Sequence, residues 1–128
     1  MVVDTSVTVA IPRDVPEAIS VEKALVSDAV CLVPASCVLE ARMVPVSQRG
    51  EHALAEIDMR RSKIAADIIP VDADLVDLAT QAWLTYGKGR HPASLNFADC
   101  FSYALAKRAD VPALIICQVF AQIDIASA

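Results

Sequence analysis

Four short apolar runs, separated by stretches with helical spacing, constrain this chain more than any other feature. Met1-Val-Val ends at an acid, Asp4; Cys31-Leu-Val is stopped by Pro34; a third run spans 67–71; the fourth reads Ala-Leu-Ile-Ile-Cys over 113–117. Continuous runs of this length suit strands covered on both faces. Between them, helices are predicted over 15–26, with Ala18, Val21, Ala24 and Leu25 at helical spacing, and over 35–48, with Leu39, Met43 and Val46 on one stripe. Gly50 is a stop signal for the second of these, and Pro45 inside it removes a backbone hydrogen bond and predicts a kink. A charged helix follows over 51–65. Asp72 is placed to cap a helix running to Tyr86, whose apolar face is Leu75, Leu78, Ala79, Ala82 and Tyr86. Residues 87–95 read as a loop. Asn96 then caps a helix to about Arg108, with Phe97, Phe101, Ala104 and Leu105 on its stripe, and 122–125 offers a fifth strand. This alternation predicts an α/β fold, a mainly parallel central sheet of four or five strands flanked by helices.

The chain has 128 residues, enough for one domain spanning 1–128 and a core without disulfides. With 55% hydrophobic and 21% charged residues it is a folding composition. Cys31, Cys37, Cys100 and Cys117 form no C-x-x-C pair, and His52 and His91 stand apart, so no zinc-site spacing exists. The cysteines lie in apolar surroundings and read as reduced core residues of a cytoplasmic protein. Asp4 interrupts the N-terminal apolar run, which argues against a secretory signal. The apolar stretch 111–121 is far below the ~20 residues that span a bilayer, so no membrane segment is expected.

The net charge of −5 by itself argues against a nucleic-acid binder. Its distribution argues otherwise. No acid lies between Asp77 and Asp99, and Lys88, Arg90 and His91 cluster in that gap.

Three acids are candidates for chemistry. In open α/β sheets ligands gather outside the carboxyl ends of strands, and Asp4 ends the first strand. It could also serve as the N-cap of a helix from Val7, a task Thr5 or Ser6 could equally perform. Thr5 and Ser6 could instead orient Asp4. Glu40 shares a helix face with Ser36, Met43 and Val44, where a carboxylate is costly unless paired or metal-bound. Arg42 does not share that face, so a structural partner would have to come from elsewhere. Asp99 follows Asn96 by three residues, in a first helical turn that favours any anion. Together the three could form an oxygen-rich site for Mg²⁺ or Mn²⁺.

The loop Tyr86-Gly-Lys-Gly-Arg-His91 is the basic complement. Its glycines would let the backbone approach a phosphate, with charge from Lys88 and Arg90. It lacks the spacing of a P-loop, and a solvated loop is the plain alternative. Trp83 and Tyr86 read as core residues rather than base-stacking platforms, and His91 is given no role.

The opening Met-Val-Val-Asp4-Thr5-Ser6, the segment Val38-Leu39-Glu40-Ala41 and the stretch 86–107 resemble PIN-domain toxins of the VapC family, in order and spacing over essentially the whole chain. The resemblance implies a PIN fold, a homodimer, an antitoxin partner whose tail wraps the active site, and metal-dependent cleavage of RNA, typically tRNA or rRNA. It carries the family's acidic metal ligands onto Asp4, Glu40 and Asp99.

The chain departs from that pattern after the fourth strand. Gln118 and Val119 stand where the family's acidic element is expected, and neither Asp110 nor Asp124 is an obvious substitute. Pro12 and Pro45 fall in segments the family builds as helices. The leading expectation is an Mg²⁺/Mn²⁺-dependent endoribonuclease toxin with metal at Asp4, Glu40 and Asp99, Thr5 or Ser6 orienting them, and RNA phosphate at Lys88 and Arg90. The rival is a catalytically weakened PIN domain that acts as an antitoxin-binding module. A different metal phosphohydrolase is the third reading.

Overall fold

The structure, a computed structural model, describes residues 1–10, 25, 30–114 and 122–127. Its elements are β1 (Val2–Val3), α1 (Thr5–Ala10), β2 (Leu32–Pro34), α2 (Ala35–Arg49), α3 (Ala53–Ile64), β3 (Asp67–Ile69), α4 (Ala73–Tyr86), α5 (Phe97–Ala109) and β4 (Ala113–Leu114). The helix expected over 15–26 lies outside the described residues apart from Leu25, as do Pro12, residues 115–117 of the fourth run, Gln118 and Val119.

The sheet order is β3-β2-β1-β4, and every pairing is parallel. The chain leaves β1 toward β2 and β3 on one side, while β4 adds on the other. Successive side chains of β1 face opposite ways. Val2 therefore joins Leu75, Leu95, Ala104, Leu105 and Ala113 in one core cluster, and Val3 joins Met1, Val7, Cys31 and Leu114 in another. β1 and β4 are buried on both faces, as their unbroken apolar runs predict, whereas the edge strand β3 is largely exposed, Asp67 and Ile68 included.

Asp72 caps α4 as expected, its carboxylate accepting the Leu75 N–H at 2.9 Å. Arg108 also reaches Asp72 at 2.8 Å, and these contacts hold that carboxyl below its ordinary range, the Leu75 amide foremost. Gly50 ends α2 with a φ of +88°, a conformation open to glycine.

Three expectations need correction. First, α2 buries Cys37, Val38, Ala41 and Pro45, whereas Leu39 and Met43 are exposed. Small residues at that spacing let the helix sit close against β2 and α5, and the larger apolar stripe turns outward. Pro45 is accommodated within one continuous helix. Second, Phe97 is 67% exposed and lies off the packed stripe of α5, while Phe101, Ala104 and Leu105 are buried. Third, 122–125 is not a strand. Only Ser127 bridges to Ala113, and Asp124 turns to accept from Tyr103 Oη at 2.8 Å, Lys107 Nζ at 2.6 Å and Tyr86 Oη at 3.3 Å. The Lys107 contact foremost holds the Asp124 carboxyl low. Burial, then Asp124, push both tyrosine hydroxyls up.

Candidate active site

Asp4 stands where the sheet reverses its strand order. Its backbone N–H donates to the Leu114 carbonyl at 3.1 Å, which fixes it in the crevice between the ends of β1 and β4. That crevice is the general ligand site of open α/β sheets. The side chain is only 2% exposed. Its Oδ2 accepts the Ser6 N–H at 3.0 Å and the Ser6 hydroxyl at 2.8 Å, so Asp4 does cap α1. Capping and chemistry are not exclusive here, because Oδ1 points elsewhere, to the Ser102 hydroxyl at 2.6 Å. Ser6 thus orients Asp4 directly. The Thr5 hydroxyl donates to the Cys37 carbonyl at 3.4 Å and ties α1 to α2.

Glu40 is half-buried on α2. Among the described residues no Lys or Arg pairs with it, since Arg42 turns to Asp58 on α3 at 2.7 Å. One turn earlier on the same face, the Ser36 hydroxyl oxygen is buried with no partner among the described residues.

Asp99 is 8% exposed. It forms a capping box with Asn96: Asp99 Oδ2 accepts the Asn96 N–H at 2.8 Å, and Asn96 Oδ1 accepts the Asp99 N–H at 2.9 Å. That contact alone would hold the carboxyl low. Instead it is pushed up from 3.8 to about 6, by burial first, with the charges of Asp4 and Glu40 adding to it. Asp4, at the end of β1, and Glu40, on α2, therefore both act on Asp99 of α5.

Ser102 is the residue that reading the sequence misses. It is fully buried on α5. The signal was present: Ser102 falls on the stripe of Ala98, Phe101 and Leu105, and a polar residue on a packed stripe asks for a partner. Beside it lies Cys37, whose Sγ is 3.5 Å from Ser102 Oγ and 3.6 Å from the Ala98 carbonyl. Burial pushes the Cys37 thiol up to about 11, against the Ser102 hydrogen bond and with the nearby Asp4 charge adding. It is a protonated thiol at neutral pH. Cys31, Cys37 and Cys100 are buried, as their apolar surroundings predict; Cys117 lies outside the described residues.

Three carboxylates present only hard oxygen donors, the set that suits Mg²⁺ or Mn²⁺. Their mutual repulsion, felt at Asp99, is what a cation relieves. Among the described residues no three acidic, thiol or imidazole groups close into a ready metal cluster. The donor chemistry fits a hard divalent cation, and the acids stand as neighbours rather than as a finished coordination shell.

Lys88 and Arg90 are exposed, and neither bonds to the three acids among the described residues. The Arg90 guanidinium lies 4.1 Å from the centre of the Trp83 ring. Trp83 is 43% exposed, so it is not the core residue expected of it. Gly87 has a packing reason of its own: a Cβ there would meet the Trp83 carbonyl oxygen at 2.3 Å, so the close approach of loop to helix requires glycine. Gly89 has a φ of +80° in open space. His91 is structural, its Nδ1 accepting the Ala93 N–H at 3.1 Å and its ring edge-on to Tyr86. Asp110 caps the far end of α5 and Asp124 is held by Lys107, so neither joins the acids. No described helix is long and apolar enough to cross a membrane.

Comparison with known proteins bears on the fold and the family. The PIN domain family model matches residues 1–117. VapC ribonuclease Mb0640 of Mycobacterium bovis and Ribonuclease VapC30 of Mycobacterium tuberculosis are each 42% identical over 127 residues, covering 99% of this chain and 97% of theirs. Ribonuclease VapC of Mycolicibacterium smegmatis is 42% identical over 99% of this chain and 98% of its own. A crystal structure of Mycobacterium tuberculosis VapC20, described as a sarcin-ricin loop cleaving toxin, superposes with a TM-score of 0.76 at 19% identity, over 99% of this chain and 97% of that one. The chain belongs to the PIN-domain family, and within it to the VapC group.

Proposed function

We propose that the protein is a metal-dependent endoribonuclease, the toxin of a toxin–antitoxin pair, hydrolysing phosphodiester bonds in structured RNA such as tRNA or rRNA. The observation that carries this reading is the burial of Asp4 and Asp99 at the carboxyl end of β1, where Asp4 and Glu40 both act on Asp99. Asp4 and Asp99 also cap helices, but capping does not require two buried carboxylates to stand near each other and near Glu40 at the sheet's switch point. The names of the VapC relatives and of the structural neighbour support the same activity.

Asp4, Glu40 and Asp99 would hold Mg²⁺ or Mn²⁺. Bound there, the ion supplies a Lewis acid for activating water and for the charge that develops on the phosphodiester. Ser6 holds Asp4 Oδ2, and the Asn96 amide holds Asp99 Oδ2, so both carboxylates are oriented before substrate arrives. Lys88 and Arg90 take RNA phosphates, with Arg90 steadied on Trp83. The protein acts in the cytoplasm, as a homodimer, and is restrained by a cognate antitoxin.

The test is cleavage of total bacterial RNA by the purified protein with Mn²⁺, with EDTA, and as Asp4→Asn. Discrete fragments that require both metal and Asp4 establish the nuclease. No cleavage, together with no calorimetric Mn²⁺ signal and tight antitoxin binding, rejects it in favour of a binding module, with Gln118 and Val119 as the cause.

A further inference from the structure

We propose that Ser102 is a positioning residue, whose hydroxyl aims the Asp4 carboxylate and, with Cys37, sets the helices carrying Glu40 and Asp99 around it. The inference rests on reading the three acids as the reactive site.

A serine in mid-helix normally returns its hydroxyl to the carbonyl four residues back. For Ser102 that carbonyl belongs to Ala98, and it is contacted by the Cys37 thiol instead. The Ser102 hydroxyl reaches out of its helix to Asp4 Oδ1 at 2.6 Å, across 98 residues of chain. A hydroxyl has one proton. With that proton given to Asp4, the Ser102 oxygen can only accept from Cys37 at 3.5 Å, so the single thiol proton is shared between Ser102 and the Ala98 carbonyl. The result is a buried chain, Cys37 S–H to Ser102 O–H to Asp4.

The members of this chain sit one helical turn from the other two acids. Ser102 follows Asp99 by three residues on α5, and Glu40 follows Cys37 by three on α2, so each pair shares a helix face. The chain therefore joins β1, α2 and α5 directly beside their carboxylates. Orientation needs such help, because the terminal torsion of an aspartate is soft. Ser6 holds Oδ2 from one side, and Ser102 holds Oδ1 from the other.

Ser102→Ala keeps the helix and nearly the volume while deleting the hydroxyl. A crystal structure of the metal-free variant should show the Asp4 carboxylate turned about its terminal torsion. Calorimetric titration should show Mn²⁺ bound about tenfold more weakly or worse, the usual loss on removing a group that orients a ligand. Ser102→Thr retains the hydroxyl and should bind Mn²⁺ nearly as the wild type does. An unmoved Asp4 with wild-type Mn²⁺ affinity in Ser102→Ala overturns the proposal. So does equal weakening in the Ala and Thr variants with unchanged melting, which would make the role one of packing. If wild-type protein binds no Mn²⁺, or Asp4→Asn binds it as well, the metal reading fails on its own, and the position of Asp4 in the metal-free variant still decides the role of Ser102.

Discussion

Arg42 donates to Asp58 Oδ1 from both Nε, at 3.0 Å, and Nη2, at 2.7 Å, across the seam between α2 and α3. The cation nearest to Glu40 in sequence is thus committed to another helix. A second pair, Arg49 with Glu56 at 2.8 Å, crosses the same seam. The surface of α2 is stitched by opposite charges, while its inner carboxylate is left among its own kind.

That arrangement should be readable by NMR titration of the Asp99 carboxyl, with a midpoint near the value of about 6 set by burial and its neighbours. Like charges disfavour ionisation, so removing either neighbour lowers the midpoint. Asp4→Asn should lower it more than Glu40→Gln, following the order of their influence. A midpoint indifferent to both variants would show that the acids do not share a field.

The stability of the metal-free protein should depend on the same group. An Asp whose carboxyl rises from 3.8 to about 6 on folding favours the folded state fully below 3.8 and loses that favour as pH climbs through about 6. Asp99→Asn should therefore raise the urea midpoint at pH 7.5 and give no gain at pH 4. Roughly two pH units set a ceiling of ~3 kcal/mol, reduced by solvent screening. The amide oxygen of Asn can still accept from Asn96, so the cap survives. A gain of equal size at both pH values would mean that ionisation is not its source.

Gly87→Ala should destabilise the fold by ~1–3 kcal/mol, because the added Cβ meets backbone and not a movable side-chain tip. Gly89→Ala has open space and should cost only the ~1–2 kcal/mol of a left-handed backbone. Urea unfolding of the two variants checks this. An innocuous Gly87→Ala would place the reason for glycine in the loop's dealings with RNA.

Asp124→Asn should loosen the contacts of Tyr86, Tyr103 and Lys107 with residues 122–127, seen as faster hydrogen exchange there. The pair is exposed, so global stability should fall by less than ~1 kcal/mol. Mn²⁺ affinity should not change. A weakened metal site in this variant would restore Asp124 as a fourth acid.

Lys88→Ala and Arg90→Ala should weaken RNA binding and each reduce the slope of log affinity against log salt by ~0.7–1. Filter binding at several salt concentrations measures it. Unchanged slopes would remove the loop from the RNA contact surface.

What the sequence discloses here follows from chemistry that is local. Asp4 is legible because a lone acid ends an apolar run, and Asp99 because Asn96 announces a helix start three residues earlier. Both of the plain alternatives, capping α1 and closing a capping box, are realised. What is not local stays hidden. Which side of α2 packs depends on how closely β2 and α5 approach, and that turns Leu39 and Met43 outward. The glycine at 87 reads as part of a phosphate loop, and its close packing on the Trp83 carbonyl has no local signal. Ser102 has no meaning until Asp4, from the opposite end of the chain, arrives beside it.

The Asp4 amide is anchored on the carbonyl of Leu114, its carboxylate on Ser102, and its strand between β2 and β4. The position of this one carboxylate is thus held by residues far along the chain, 98 positions away in the case of Ser102. A change in α5 or β4 can reach Asp4 without altering a single residue of β1.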